Sequence, residues 1–154
     1  MRSKLSVVIF LVTLSAIAWC MPVDARDTIG VVRTSAGTAN INRGAQVIPA
    51  AVGTKLLAGD TLVTGADGSV GVILRDNSSL SLGPMSTLAI EKFLFSPAEG
   101  KLGLLARISR GSMAYISGLI GKLAPESARF ETPVATIGIR GTRFAVKVGE
   151  PSPE

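Results

Sequence analysis

The sequence predicts an all-β domain of about ten short strands, folded into a compact sandwich, barrel or short solenoid and preceded by an N-terminal signal helix. Three observations carry this. Glycine punctuates the chain every few residues after Thr28, with 17 in 154 residues. Val, Ile, Thr and Leu fill the intervals, and no long segment beyond residue 25 repeats its apolar residues at helical spacing. A sheet of that many short strands curls or closes instead of lying flat.

Residues 1–25 read as a secretory signal. Arg2 and Lys4 give a positive start, and Leu5 to Trp19 is an apolar run of signal-peptide length. The run stops at Cys20, Met21 and Pro22, short of the roughly 20 apolar residues a membrane span needs. Val23 and Ala25 place cleavage after Ala25, with a second possible site after Ala18. An uncleaved anchor is the alternative. Cys20, the one cysteine, lies inside this segment, so the mature chain forms no disulfide or thiolate metal site. Lipidation of Cys20 is disfavoured by the bulky Trp19 before it. The expected location is periplasmic or secreted.

Residues 26–148 form the expected domain. Strands are predicted at Ile29 to Arg33, Thr38 to Asn42, Thr61 to Thr64, Val70 to Leu74, Ser79 to Leu82 and Thr87 to Phe93. They continue at Leu104 to Ser109, Met113 to Ile116, Ala128 to Thr132 and Thr136 to Ile139. The clearest alternation comes last, with Phe144, Val146 and Val148 on one face and Ala145 and Lys147 on the other. Asp67-Gly68, Asp76-Asn77-Ser78 and Gly83-Pro84 supply turn chemistry. Asn77-Ser78-Ser79 matches a glycosylation sequon but reads as a polar turn. Phe95 to Gly103 is expected to be an exposed loop between halves of the domain. Ser117 to Leu123 has room for one helical turn, which its two glycines argue against. Residues 149–154, with two prolines and two acids, read as a disordered tail.

Missing chemistry narrows the function. The chain has no histidine, which removes the commonest general base and metal ligand. Asp27, Asp60, Asp67, Asp76, Glu91, Glu99, Glu126 and Glu131 are spread singly, mostly at turns, so no carboxylate pair is marked out. Gly68-Ser69-Val70-Gly71 only resembles a nucleophile elbow. Gly118-Leu119-Ile120-Gly121-Lys122 has two residues where a phosphate-binding loop has four, and reads as a glycine-bordered turn between strands. The expectation is a protein that is not an enzyme and needs no cofactor. Of the 16 Lys and Arg, only Arg2 and Lys4 fall in the leader, and of the 11 Asp and Glu only Asp24 does. The remaining basic excess is scattered. That suits weak contact with an anionic membrane surface or cell wall, and an exported domain has no nucleic-acid partner.

The most distinctive stretch runs from Thr132 to Phe144. Pro133 suits the start of an edge strand, and Val134, Ile137 and Ile139 offer burial. Arg140-Gly141 forms a corner where the guanidinium is expected to tie two strands together, with capture of an anionic group as the functional alternative. Thr132-Pro133, Ala135, the apolar Ile137, Arg140-Gly141-Thr142 and the aromatic Phe144 together resemble the hallmark of the FecR domain, named for the periplasmic regulator of iron dicitrate transport. The opening half is similar as well: Gly44 to Gly53, Leu57, Gly59-Asp60, Gly65, Asp67-Gly68, Val72, Leu74 and Asp76 to Leu82 fall in the family's order. The resemblance spans Gly37 to Val148.

It implies an all-β periplasmic binding or signalling module that works through protein contact, most naturally with another envelope protein. A structural protein contacting cell-wall polymer is the rival. Signalling members of the family carry a cytoplasmic anti-sigma segment before the domain and a further domain after it. The sequence here has a signal-like segment before and six residues after, so direct control of a sigma factor is not expected. Strand edges that accept a partner strand are the implied mode of contact.

Overall fold

The computed structural model describes residues 27–149. The expected signal segment, residues 1–25, lies outside them, as do Arg26 and all of the expected tail but Gly149. Twelve strands follow in order: β1 (Thr28–Ala36), β2 (Ala39–Arg43), β3 (Gln46–Pro49), β4 (Lys55–Leu57), β5 (Thr61–Thr64), β6 (Ser69–Leu74), β7 (Ser79–Leu82), β8 (Thr87–Ser96), β9 (Lys101–Ile116), β10 (Ala128–Glu131), β11 (Thr136–Gly138) and β12 (Arg143–Val148). One helical turn, α1 (Leu119–Leu123), connects β9 towards β10. Among the described residues no helix is long and apolar enough to cross a membrane.

The strands form a single curled sheet in the order β3-β2-β5-β8-β9-β7-β6-β1-β4. Its concave side is lined by alternate residues of each strand, which is why the core is a list of every second position. Leu80 and Leu82, Leu88 and Ile90, Leu104, Ala106 and Ile108, and Met113 and Tyr115 are all buried. The curl is an antiparallel half-barrel whose outermost path strands, β3 and β4, are only four and three residues long. Short edges limit unwanted pairing.

Strand β9 organises the whole. Along one edge it pairs antiparallel with β7 and β8 end to end, from Ser79 opposite Ile116 to Ser96 opposite Lys101. Along its other edge lie β10, parallel to Leu104–Arg107, and β12, antiparallel to Gly111–Ile116. The bend that lets one strand serve both halves of the curl is at Gly111, whose φ of 89° is costly for any residue with a side chain. A Cβ there would also run into Ser86. Ser86 Oγ fills that corner, accepting from Ser112 N at 2.9 Å and lying 3.1 Å from the Ser112 carbonyl oxygen.

Three expectations are corrected. Phe95 to Gly103 is not a loop between halves but a tight hairpin. Phe95 pairs with Leu102, and a single 3-10 turn at Pro97–Glu99 reverses the chain. The predicted strands Leu104 to Ser109 and Met113 to Ile116 are one continuous strand, because Gly111 bends the ladder without ending it. The glycine-bordered segment at 118–122 is helical and not a turn between strands. Asp76 accounts for this by accepting from Leu119 N through its carbonyl at 2.7 Å and from Ile120 N through Oδ2 at 3.2 Å. Two strands, β3 and β4, were not anticipated.

Candidate functional site

Thr132 begins the hallmark stretch by closing the β10–β11 hairpin. Its N–H donates to the Ala135 carbonyl at 2.8 Å, and its Oγ1 accepts from Ala135 N at 2.9 Å. Pro133 and Ala135 lie exposed on that turn, and Val134 at its tip is 93% exposed. Ile137 is half-buried in β11 opposite Phe130, and Ile139 is buried. Thr142 accepts from Ser117 N at 2.8 Å through its carbonyl. Phe144, the second residue of β12, completes an aromatic cluster, with ring centroids 5.0 Å from Phe130 and 5.5 Å from Tyr115. Tyr115 and Phe130 are themselves 4.8 Å apart, a spacing that favours tilted aromatic contact.

Arg140 does not tie strands together. It is exposed in the segment between β11 and β12, and its guanidinium makes no hydrogen bond or ion pair among the described residues. Gly141 has a φ of 127° with open space around its Cα, so it is required by backbone conformation and not by crowding. The corner is thus held by Gly141, by the Thr142 carbonyl and by Phe144.

The second group of sequence-marked residues lies at turns away from this edge. Gly59 N donates to the Ile90 carbonyl at 2.8 Å, and Asp60 is buried, accepting from Arg43 Nε at 2.9 Å, Arg43 Nη2 at 2.8 Å and Leu57 N at 2.9 Å. Gly65 and Gly68 close a turn against Thr38, where Asp67 Oδ1 accepts from Thr38 N at 3.3 Å. That backbone bond holds the Asp67 carboxyl below its usual range. Asp76, Ser78 and Tyr115 form a fully buried chain of hydrogen bonds. Ser78 Oγ donates to Asp76 Oδ2 at 2.7 Å, so it must accept both from Tyr115 OH at 3.0 Å and from Gly118 N at 2.9 Å. Burial pushes the Tyr115 phenol above its ordinary value. Every one of these polar groups is spent on holding the fold.

Two of the acids that the sequence spreads singly, Glu91 and Glu131, meet at one guanidinium. Arg107 binds Glu91 Oε1 at 2.9 Å and Glu131 Oε2 at 2.6 Å on the surface. Glu131, foremost, holds the Arg107 guanidinium above its ordinary value. Among the described residues no group of three acids, histidines or cysteines is arranged to hold a metal ion.

What remains open is the edge of β12. This strand pairs only with β9 among the described residues, so its outer ladder of N–H and C=O groups is unused. Phe144, Val146 and Val148 face inward and half-buried, while Arg143, Ala145 and Lys147 face out. Beyond Phe144 the inner face opens into a groove of about 570 Å³ between β12 and the β10–β11 turn, walled by Pro133, Val134, Ala135, Ile137, Val146 and Val148. Arg143 and Lys147 were not marked from sequence as site residues. Their signal was available in the same alternation that places Lys147 opposite to the apolar row.

No curated protein and no solved structure matches the chain. The family model described as FecR protein matches residues 60–153, from the buried Asp60 turn through the hallmark stretch. The chain therefore belongs to the FecR protein family.

Proposed function

We propose that this protein is a non-catalytic binding module of the bacterial envelope, acting by contact with another protein in a regulatory or signalling process. Family membership implies a regulatory or signalling module. One observation supports contact as its means: the polar residues of the marked turns are bonded within the fold, whereas a six-residue edge strand beside an apolar groove carries an unused backbone ladder. Exposed strand edges are a common device for protein recognition.

Crosslinking of the tagged full chain in living cells tests the proposal, with the expected result that a membrane sensor, transporter or secretion component is recovered. Hydrolysis of glycan or peptide by the purified protein, lost on Glu91→Gln or Glu131→Gln, would overturn it. A second reading is favoured by the exposed Arg140, Arg143 and Lys147: a structural protein resting on anionic cell-wall polymer. Sedimentation with peptidoglycan that weakens steeply with salt, together with no protein crosslinks, would support that reading instead.

A further inference from the structure

We infer that the free edge of β12 accepts an extended acidic strand from a partner protein, with the partner's apolar residues entering the groove under β12 and its carboxylates facing Arg143 and Lys147. This rests on the protein-contact reading and names its site and the partner's chemistry. Three independent features select that occupant. The backbone ladder on the outer side of β12 is unpaired among the described residues. On the core side of the edge the groove is walled mainly by Pro133, Val134, Ile137, Val146 and Val148, with Ser109, Thr132 and Lys147 at its margin, and Val134, at 93% exposure, is a large apolar group with nothing packed over it. Along β12 Arg143 and Lys147 alternate with that apolar row, Arg140 lies in the segment before the strand, and all three are exposed and bonded to no carboxylate among the described residues.

Strand addition requires side chains to alternate between the two faces, so the matching sequence alternates apolar and acidic residues. Self-pairing of this chain centred on Ala145 is disfavoured. Two β12 strands paired antiparallel about Ala145 would set Arg143 of each copy opposite Lys147 of the other, and like charges placed directly opposite are destabilising. Residues 150–154 bring Glu150 and Glu154 but no apolar side chain other than Pro151 and Pro153, so they do not supply the apolar row.

The test titrates the full chain with a ten-residue peptide alternating glutamate and valine, followed through the backbone amides by NMR. The expected result is saturable binding that shifts and protects the Arg143–Val148 amides. Affinity should fall on the order of tenfold in Arg143→Glu/Lys147→Glu, since each exposed pair contributes up to about fivefold. The same peptide with alternate backbone nitrogens methylated keeps its charge and should lose binding. Equal binding of the methylated peptide, or a lysine–valine peptide binding as well as the glutamate one, would overturn the inference. So would binding only to phosphatidylglycerol vesicles or to peptidoglycan. In cells, a photocrosslinker at Ala145 should capture a protein through an acidic extended segment. Capture from Gln46 on β3 and not from Ala145 would sink the β12 site while leaving the protein-contact reading intact.

Discussion

Replacing Ser78 by alanine removes a hydroxyl that uses all of its hydrogen-bonding capacity inside the fold. Its Oγ donates to Asp76 and accepts from Tyr115 and from the Gly118 amide, and Asp76, Ser78 and Tyr115 are all at most 0% exposed. In the alanine variant the Gly118 N–H is left buried without an acceptor, which costs about 1–3 kcal/mol. Loss of the hydroxyl-to-Asp76 bond adds about 1 kcal/mol. The Tyr115 phenol has Ser117 as a second neighbour, so its loss is smaller. The sum is about 3 kcal/mol, or a fall in Tm of roughly 10–15 °C for a domain of this size. Thermal and urea denaturation followed by far-UV circular dichroism would measure it. Ser81→Ala, on the exposed side of β7, is the control and should change stability by less than about 0.5 kcal/mol. A fall in Tm below about 4 °C for Ser78→Ala would refute the reasoning and show that the network is replaceable by water.

Other outcomes follow from the same geometry. The Tyr115 phenol is held above its ordinary value of 10.0 in the folded state, so the stability it contributes is complete below that value and is lost as pH rises through the folded one. Alkaline titration of Tyr115→Phe should accordingly lack part of the wild-type decline above about pH 10. Asp60→Ala takes the carboxylate from the Arg43 guanidinium, which keeps the Lys55 carbonyl, and leaves the buried Leu57 amide without that acceptor, and should cost about 3 kcal/mol by urea unfolding. Phe130→Ala, at the centre of the aromatic cluster, should cost about 3–5 kcal/mol on the same measurement. Arg140→Ala should leave Tm within about 2 °C of wild type, because its side chain bonds nothing among the described residues. Gly141→Ala should lose about 1–3 kcal/mol through backbone conformation alone.

Where a strand buries one full face, the sequence announced it. Leu80 and Leu82 alternate cleanly with Ser79 and Ser81, and Val70, Val72 and Leu74 are buried on one face of β6 even though Gly71 is buried as well and Ile73 is half-buried. Strands β3 and β4 escaped because they are short and marginal: Gln46–Pro49 buries none of its residues fully, and Lys55–Leu57 is too brief to show a period. Arg110-Gly111 looked like a terminator, since a local reading cannot distinguish a glycine that ends a ladder from one that turns it. The hallmark residues fall on the β10–β11 hairpin, the corner after it and β12, and their division of labour was not legible in the sequence. Whether Arg140 reaches a neighbouring strand depends on the direction in which the corner opens, and that is set by Ser117, Tyr115 and Phe130, all distant in sequence or on other elements. Gly141 was marked for the right position and for half of the right reason.

The family match begins at residue 60, yet β1 lies between β6 and β4 and contributes Ile29 and Val32 to the common core, so the matched segment does not contain the whole packed unit.

The bend in β9 has a further meaning for how the protein responds to stress. A strand whose one edge carries β7 and β8, and whose other edge carries β10 and β12, belongs to both halves of the curl at once, so neither half has a private seam along which to detach. Unfolding should then be all-or-none, with amides of β9 on either side of Gly111 exchanging at one common rate. A pull on a partner bound at the C-terminal edge would be transmitted through β9 to the whole sheet instead of peeling off a corner.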